Sequence, residues 1–581
     1  MKQNVLALSI TAALIGLTGS AHAMTGTLAG ATAGTELLLN GDGVGHHLFV
    51  PYYSAQDKNA TLINLINTDQ VNGKAVKVRF RGAANSDDVY DFQVFLSPGD
   101  VWTANISTGA SGNAQLTTTD ASCTKPAKAV LNSTPFLTTR LDTTMSPAQK
   151  SNGTREGYIE IFNMGDIPKT AAGAGPQILD LPGATTAGVG AGDNPLFTAI
   201  KHVSKVAPCS GNAWTALDTT NLQYSLVANA LITTPRTAGL LPPTTGLMAN
   251  WTIINVTNAA AWTGEAVAVQ SALTATGVPS TGNVVYWPQT GGAIVGDVNT
   301  FTADPLLRTA NVAKFDGVNY IGDTSAAYLA GLFDLPDMST PYTDAANAVA
   351  PTLSPLQQAR GLTEALAASS VTNEYLTDKT IVASTDWVFS MPTRRYSVAF
   401  DYAATISATD DGRRFSDIVN QQASVANGIA YAGTAFTNGY FLASNTLIGA
   451  NTNFNGRQIC TQNITPAPFD REETGTSSPT IVVVSPSTPA DPLSFCGEAT
   501  VLSINNGGII ATGTSALKAS VAVKDLDVTL QDGWMRIATP AANIAAPAVN
   551  GLPMVGAAFE RMFANAGLQS FGATYNHRFG R

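Results

Sequence analysis

The chain has 581 residues, of which 12% are charged and 44% hydrophobic, with 31 Lys and Arg against 41 Asp and Glu for a formal net charge of -10. An acidic, weakly charged chain argues against nucleic acid as a partner, which requires a basic patch. Length places no limit on the size of the core, and low charge weakens the self-repulsion that keeps copies apart.

The first 23 residues, MKQNVLALSITAALIGLTGSAHA, carry Lys2, an apolar run from Val5 to Leu17 and small residues ending at Ala23. That order predicts a cleavable secretory signal, and the run is too short for a spanning helix of roughly 20 residues. No later stretch reaches that apolar length uninterrupted, which leaves a soluble exported chain or a β-barrel as expectations.

Strands are expected at 48–54 and 61–67. Val76, Val78 and Phe80 then alternate with Lys77, Arg79 and Arg81, the period of a half-buried strand. After a polar turn at 85–88, Tyr90, Phe92, Val94 and Leu96 face away from Asp91 and Gln93, completing an antiparallel hairpin. Ser97-Pro98-Gly99-Asp100 reads as a tight turn before a further strand at 101–106. Five short strands at this spacing predict a β-sandwich. Later strands are expected at 158–162, 251–256, 387–391, 396–400, 500–504, 521–523 and 534–537.

Ala/Gly/Thr/Asn-rich stretches at 108–154, 165–215, 276–380 and 403–459 read as insertions on this scaffold. One holds a helix signature, with Ser354 at the N-cap, Pro355 at N1, Gln357 at N3, and Leu356, Ala359, Thr363 and Leu366 along one side. A second short helix is expected at 325–333. Pro242-Pro243 and 474–492 read as loops or linkers. No repeat of fixed period is visible.

The expected class is therefore mainly β, an antiparallel immunoglobulin-like β-sandwich scaffold with long loop insertions and a few short helices. Its expected regions are a signal peptide at 1–23, an N-terminal β-sandwich at 24–240, a middle β region with the helical insertion at 241–402, and a C-terminal β region at 403–581.

The four cysteines, Cys123, Cys209, Cys460 and Cys496, are expected to form disulfides in an exported chain. Four allow three pairings, of which Cys123 with Cys209 and Cys460 with Cys496 is the simplest. Zinc is disfavoured because no C-x-x-C spacing occurs and few histidines remain.

Patterns for chemistry are sparse. G-x-S-x-G, H-E-x-x-H and the P-loop are absent. Ser515-x-x-Lys518 matches two positions of the penicillin-interacting serine motif without its companions, and Gly188-x-Gly190-x-Gly192 lacks the dinucleotide spacing. His46 and His47, with Asp42, are a possible metal set for which a polar loop is the simpler reading. Asp87-Asp88, Asp410-Asp411 and Asp525-x-Asp527 keep Ca²⁺ open as a ligand, although none has EF-hand spacing. Trp102, Trp251, Trp387 and Trp534 fall in expected strands, where core packing is favoured over a sugar platform.

Several segments resemble a group of exported proteobacterial cell-surface or surface-layer proteins: KVRFRGAANSDDVYDFQVFLSPGDVW (74–102), REGYIEIFNMG (155–165), DWVFSMPTRRY (386–396), FDREE (469–473), FCGEATVLSIN (495–505), and GLPMVGAAFERM running to YNHRFGR (551–581). The resemblance implies envelope architecture and no reaction. The expected function is a self-assembling surface-layer or matrix subunit of a Gram-negative bacterium, not an enzyme. Its expected partners are copies of itself and the outer membrane or lipopolysaccharide surface. A secreted adhesin or carbohydrate binder is the first alternative and an outer-membrane β-barrel the second, the latter weakened by the ending Phe579-Gly580-Arg581.

Overall fold

The computed structural model describes residues 36–170, 193–218, 238–272, 312–322, 354–416, 436–449, 457–472, 493–505, 515–528, 532–541, 551–564 and 569–581, with short pieces at 279–282, 286, 288–289, 301, 421–422 and 530. The expected signal at 1–23, the helix at 325–333, the glycines 188–192 and the loop 474–492 lie outside the described residues.

Among the described residues, twelve strands build the first half: β1 (Glu36–Asn40), β2 (His47–Ser54), β3 (Asn59–Asn67), β4 (Gly73–Gly82), β5 (Asp88–Leu96), β6 (Val101–Thr108), β7 (Ala114–Thr117), β8 (Cys123–Lys125), β9 (Glu156–Ile167), β10 (Leu247–Asn255), β11 (Ala260–Glu265) and β12 (Val267–Ala272). They form a seven-stranded sheet ordered β1-β12-β2-β9-β4-β5-β8 and a five-stranded sheet ordered β11-β10-β3-β6-β7. Val76, Val78 and Phe80 of the first share a buried core with Ile63, Leu65, Trp102 and Trp251 of the second. The result is an antiparallel β-sandwich, held by apolar side chains at alternate positions.

The hairpin of β4 and β5 has the expected register, with Val78 opposite Phe92 and Arg79 opposite Asp91. Its turn into β6 is closed by the Asp100 amide donating to the Ser97 carbonyl at 3.1 Å, and Gly99 takes a φ of 70° that favours glycine. Strands β3 and β10 alternate between buried and partly exposed positions, whereas β4, β5 and β9 are buried throughout. The alternation in 76–81 therefore separates two faces correctly, but the basic face is covered, and β4 is not half-buried.

The second half adds a five-stranded sheet, ordered Val523–Asp527, Ala499–Asn505, Ser384–Ser390, Val555–Ala564, Gln569–Asn576. All its pairings are antiparallel except that of the first two strands. A larger sheet runs Thr446–Gly449, Gln458–Asp470, Gly533–Ala538, Ser370–Tyr375, Arg578–Gly580, with Leu493–Cys496 also paired to Gln458–Asp470. Within Ser384–Ser390, Val388 packs in the sandwich core while its neighbours Trp387 and Phe389 pack in a second core with Met535 and Ile537. That sheet is thus a layer shared by both cores. None of these sheet paths closes on itself among the described residues.

Strand pairing crosses both expected boundaries. Residues 247–272 complete the sheets begun by β1 to β9, so 240/241 falls inside the sandwich. Ser384–Ser390 pairs with 499–505 and 555–564, so 402/403 falls inside the shared layer. The helix Ser354–Leu366 forms where expected, and its Ala359, Thr363 and Leu366 are buried, the helix docking near Leu37 of β1.

Candidate interaction surface

The sandwich buries several opposite charges in pairs. Glu160 of β9 lies 2.9 Å from Nε2 of His47 (β2), 3.3 Å from Arg79 (β4) and 3.0 Å from Arg395, which reaches it from the turn 394–396. Burial alone would raise the Glu160 carboxyl, but Arg395, His47 and Arg79 outweigh it and hold it well below the usual range. Lys77 meets Asp91 at 2.6 Å, Arg394 meets Glu498 at 2.8 Å, and Arg414 bridges Asp401 and Asp410. Gln289 caps the Lys77 pair by accepting from Lys77 at 2.7 Å and donating to Asp91. Among the described residues, 11 Lys and Arg and 14 Asp and Glu side chains are buried.

The two disulfides are Cys123–Cys209 and Cys460–Cys496. The first fastens edge strand β8 to the segment after the helix Pro195–Ile200. The second joins register partners on Gln458–Asp470 and Leu493–Cys496.

The other candidate residues serve the fold. His46 and His47 are buried while Asp42 is exposed in the turn that precedes them. The His46 ring accepts from the Ser271 amide at 3.1 Å, and burial, reinforced by Lys74, pushes its pKa down to about 3. Asp87 accepts from the Tyr402 hydroxyl at 2.7 Å, Asp410 and Asp411 hold Arg414 and Arg413, and Asp525 is exposed while Asp527 is buried. Among the described residues no three His, Cys, Asp or Glu side chains group as metal ligands. The Ser515 hydroxyl accepts the Lys518 amide at 3.0 Å and the Lys518 ammonium meets Asp57 at 3.1 Å, so this pair shapes a turn.

The tryptophans divide. Trp102, Trp251 and Trp387 are core residues, but Trp534 is 44% exposed. It stacks on Phe469 of the neighbouring strand, with ring centroids 4.5 Å apart and planes 14° apart. Phe469, Trp534 and Glu374 stand opposite one another across three strands, followed on the same face by Ala467, Arg536 and Thr372. Phe571 and Tyr575, the other exposed aromatics among the described residues, also belong to C-terminal strands. Sequence reasoning assigned no strand to 460–470, so Phe469 entered only as the start of the segment 469–473; the aromatic just before the run Asp470 to Glu473 was the available signal.

No protein-family model, curated protein or solved structure matches the chain.

Proposed function

We propose that the chain is an exported structural subunit that assembles with copies of itself at the surface of a Gram-negative cell, against the outer membrane or its lipopolysaccharide. The observation that carries this reading is the low charge of the chain, 12% of its residues, together with the pairing of opposite charges inside the fold. A chain with few charges, several of them neutralised in buried pairs, has little long-range repulsion between its copies. Two disulfides suit an oxidising destination outside the cytoplasm. The resemblance of segments 74–102, 386–396 and 551–581 to surface-layer proteins points the same way.

Sedimentation velocity of the purified mature chain tests this reading. Mass is expected to shift from monomer to large assemblies as concentration rises, and added Ca²⁺ tests whether a cation promotes the shift. A strictly monomeric boundary at high concentration, with and without Ca²⁺, contradicts it.

Exposed Trp534, stacked on half-buried Phe469, favours one second reading, a carbohydrate-binding adhesin, because an aromatic face beside Glu374 and Arg536 suits the apolar face and hydroxyls of a sugar. Saturable glycan-array binding that Trp534→Ala abolishes supports it, and a blank array counts against it. The substitution itself is expected to cost about 0.5–1.5 kcal/mol of stability through the lost ring stacking.

A further inference from the structure

Beside the sandwich core lies a lysine in an arrangement that a simple ion pair does not need. Lys74, the second residue of β4, is fully buried, and its strand partner on β9 is Asp166, also fully buried. The Lys74 ammonium lies 2.8 Å from Oδ1 of Asp166 and 3.1 Å from Oδ2 of a second carboxylate, Asp69. The Thr244 hydroxyl touches both reacting groups, accepting from Lys74 at 2.8 Å and donating to Oδ2 of Asp166 at 2.5 Å. The Asn163 side-chain amide donates to Oδ1 of Asp166 at 2.7 Å.

We propose that Lys74 and Asp166 join covalently, the ε-amine of Lys74 condensing with the Asp166 side-chain carboxyl to form an isopeptide bond between β4 and β9, with Asp69 as the base.

The two carboxyls are placed for different tasks. Burial raises both, but for Asp69 the Lys74 ammonium and the backbone amides of Val71 and Asn72 reverse the effect, so it stays ionised and can accept a proton. For Asp166 burial prevails over Lys74, with the Asp69 charge adding to it, which favours the neutral acid an amine can attack. An amine in contact with a carboxyl oxygen is near the roughly 3–3.5 Å approach of a near-attack conformer to the adjoining carbon.

The step balances. Lys74 passes one ammonium proton to Asp69, and the freed lone pair forms a bond to Cγ of Asp166. Charge builds on Oδ1, where Asn163 donates to it. A second proton leaves the nitrogen through the Thr244 hydroxyl to Oδ2, the Cγ–Oδ2 bond breaks with its electron pair on oxygen, and that oxygen departs as water with the proton of the neutral acid. The products are an amide, one water and protonated Asp69. No oxidant or cofactor is consumed.

Mass spectrometry of the purified full chain, denatured with its disulfides intact, tests the proposal. The mature protein is expected to be lighter by one water, about 18 Da, than its disulfide-bonded sequence requires. Trypsin is expected not to cut after Lys74, leaving a branched peptide that carries Lys74 and Asp166 together. Asp69→Asn, similar in size but unable to take up the proton, is expected to restore the water and the cleavage while the far-ultraviolet circular dichroism stays that of a β protein. A wild-type chain of unmodified mass that is cut after Lys74, or a lost water mapped to other residues, overturns the cross-link. Full cross-linking in Asp69→Asn overturns the role of Asp69. If that variant does not fold, the wild-type peptide map alone decides whether the bond exists.

Discussion

Replacing Glu160 by alanine is expected to cost about 3–5 kcal/mol, the loss typical of breaking a buried pair from one side. The carboxylate is 1% exposed and serves Arg79, Arg395 and His47, which come from two strands of the sandwich and from the turn 394–396. Its removal leaves two guanidinium groups in a water-poor layer without the charge that offsets their desolvation. The effect should register as a lower urea midpoint, with the same change at exposed Glu472 shifting stability by less than about 0.5 kcal/mol as a control. Because Arg395 belongs to the second half of the chain, the variant should also loosen the contact between the halves, which limited proteolysis within 394–396 would report. A loss below about 1 kcal/mol would mean that water reaches the layer and that the pair behaves as a surface salt bridge.

Replacing both Cys123 and Cys209 by serine is expected to be comparably severe. The bridge closes a loop of 86 residues, for which chain entropy alone gives ~4.6 kcal/mol, against ~3.8 kcal/mol for the 36-residue loop of Cys460–Cys496. Cys123 is also buried among Phe95, Phe162 and Ile200, so a serine hydroxyl there adds a desolvation cost. Denaturant unfolding with and without reductant separates the two contributions. Under reductant, with both bridges open, wild type should exceed the Cys123/Cys209 double variant only by the serine cost, and the oxidised Cys460/Cys496 double variant should lose less than the oxidised Cys123/Cys209 one. Equal midpoints for oxidised and reduced wild type would contradict a stabilising role for either bridge.

Much of the scaffold was legible because apolar alternation is a local signal. The hairpin of β4 and β5, the Ser97–Asp100 turn and the helix at 354–366 all follow from residues within a few positions of one another. What covers a face is not local. Lys77, Arg79 and Arg81 have the spacing of a solvated edge, yet their acidic counterparts are Asp91, 14 residues from Lys77, and Glu160, 81 residues from Arg79, while the covering Gln289 lies 212 residues from Lys77. Strand pairing runs across 240 and 402 for the same reason: β10 to β12 and Ser384–Ser390 find their partners far along the chain. Of the four strand tryptophans, three were correctly favoured as core. Trp534 departs because its strand pairs in a sheet with one open face, which depends on where that sheet lies in the fold.

The proposed function places this weakly charged β scaffold in a layer on the cell. Electron microscopy of intact envelopes, with antibody labelling of this chain and with and without chelator, tests it most directly. The account predicts a continuous or periodic coat at the outer surface that carries the label. Label confined beneath the outer membrane, or dispersed single copies with no coat under either condition, would contradict it.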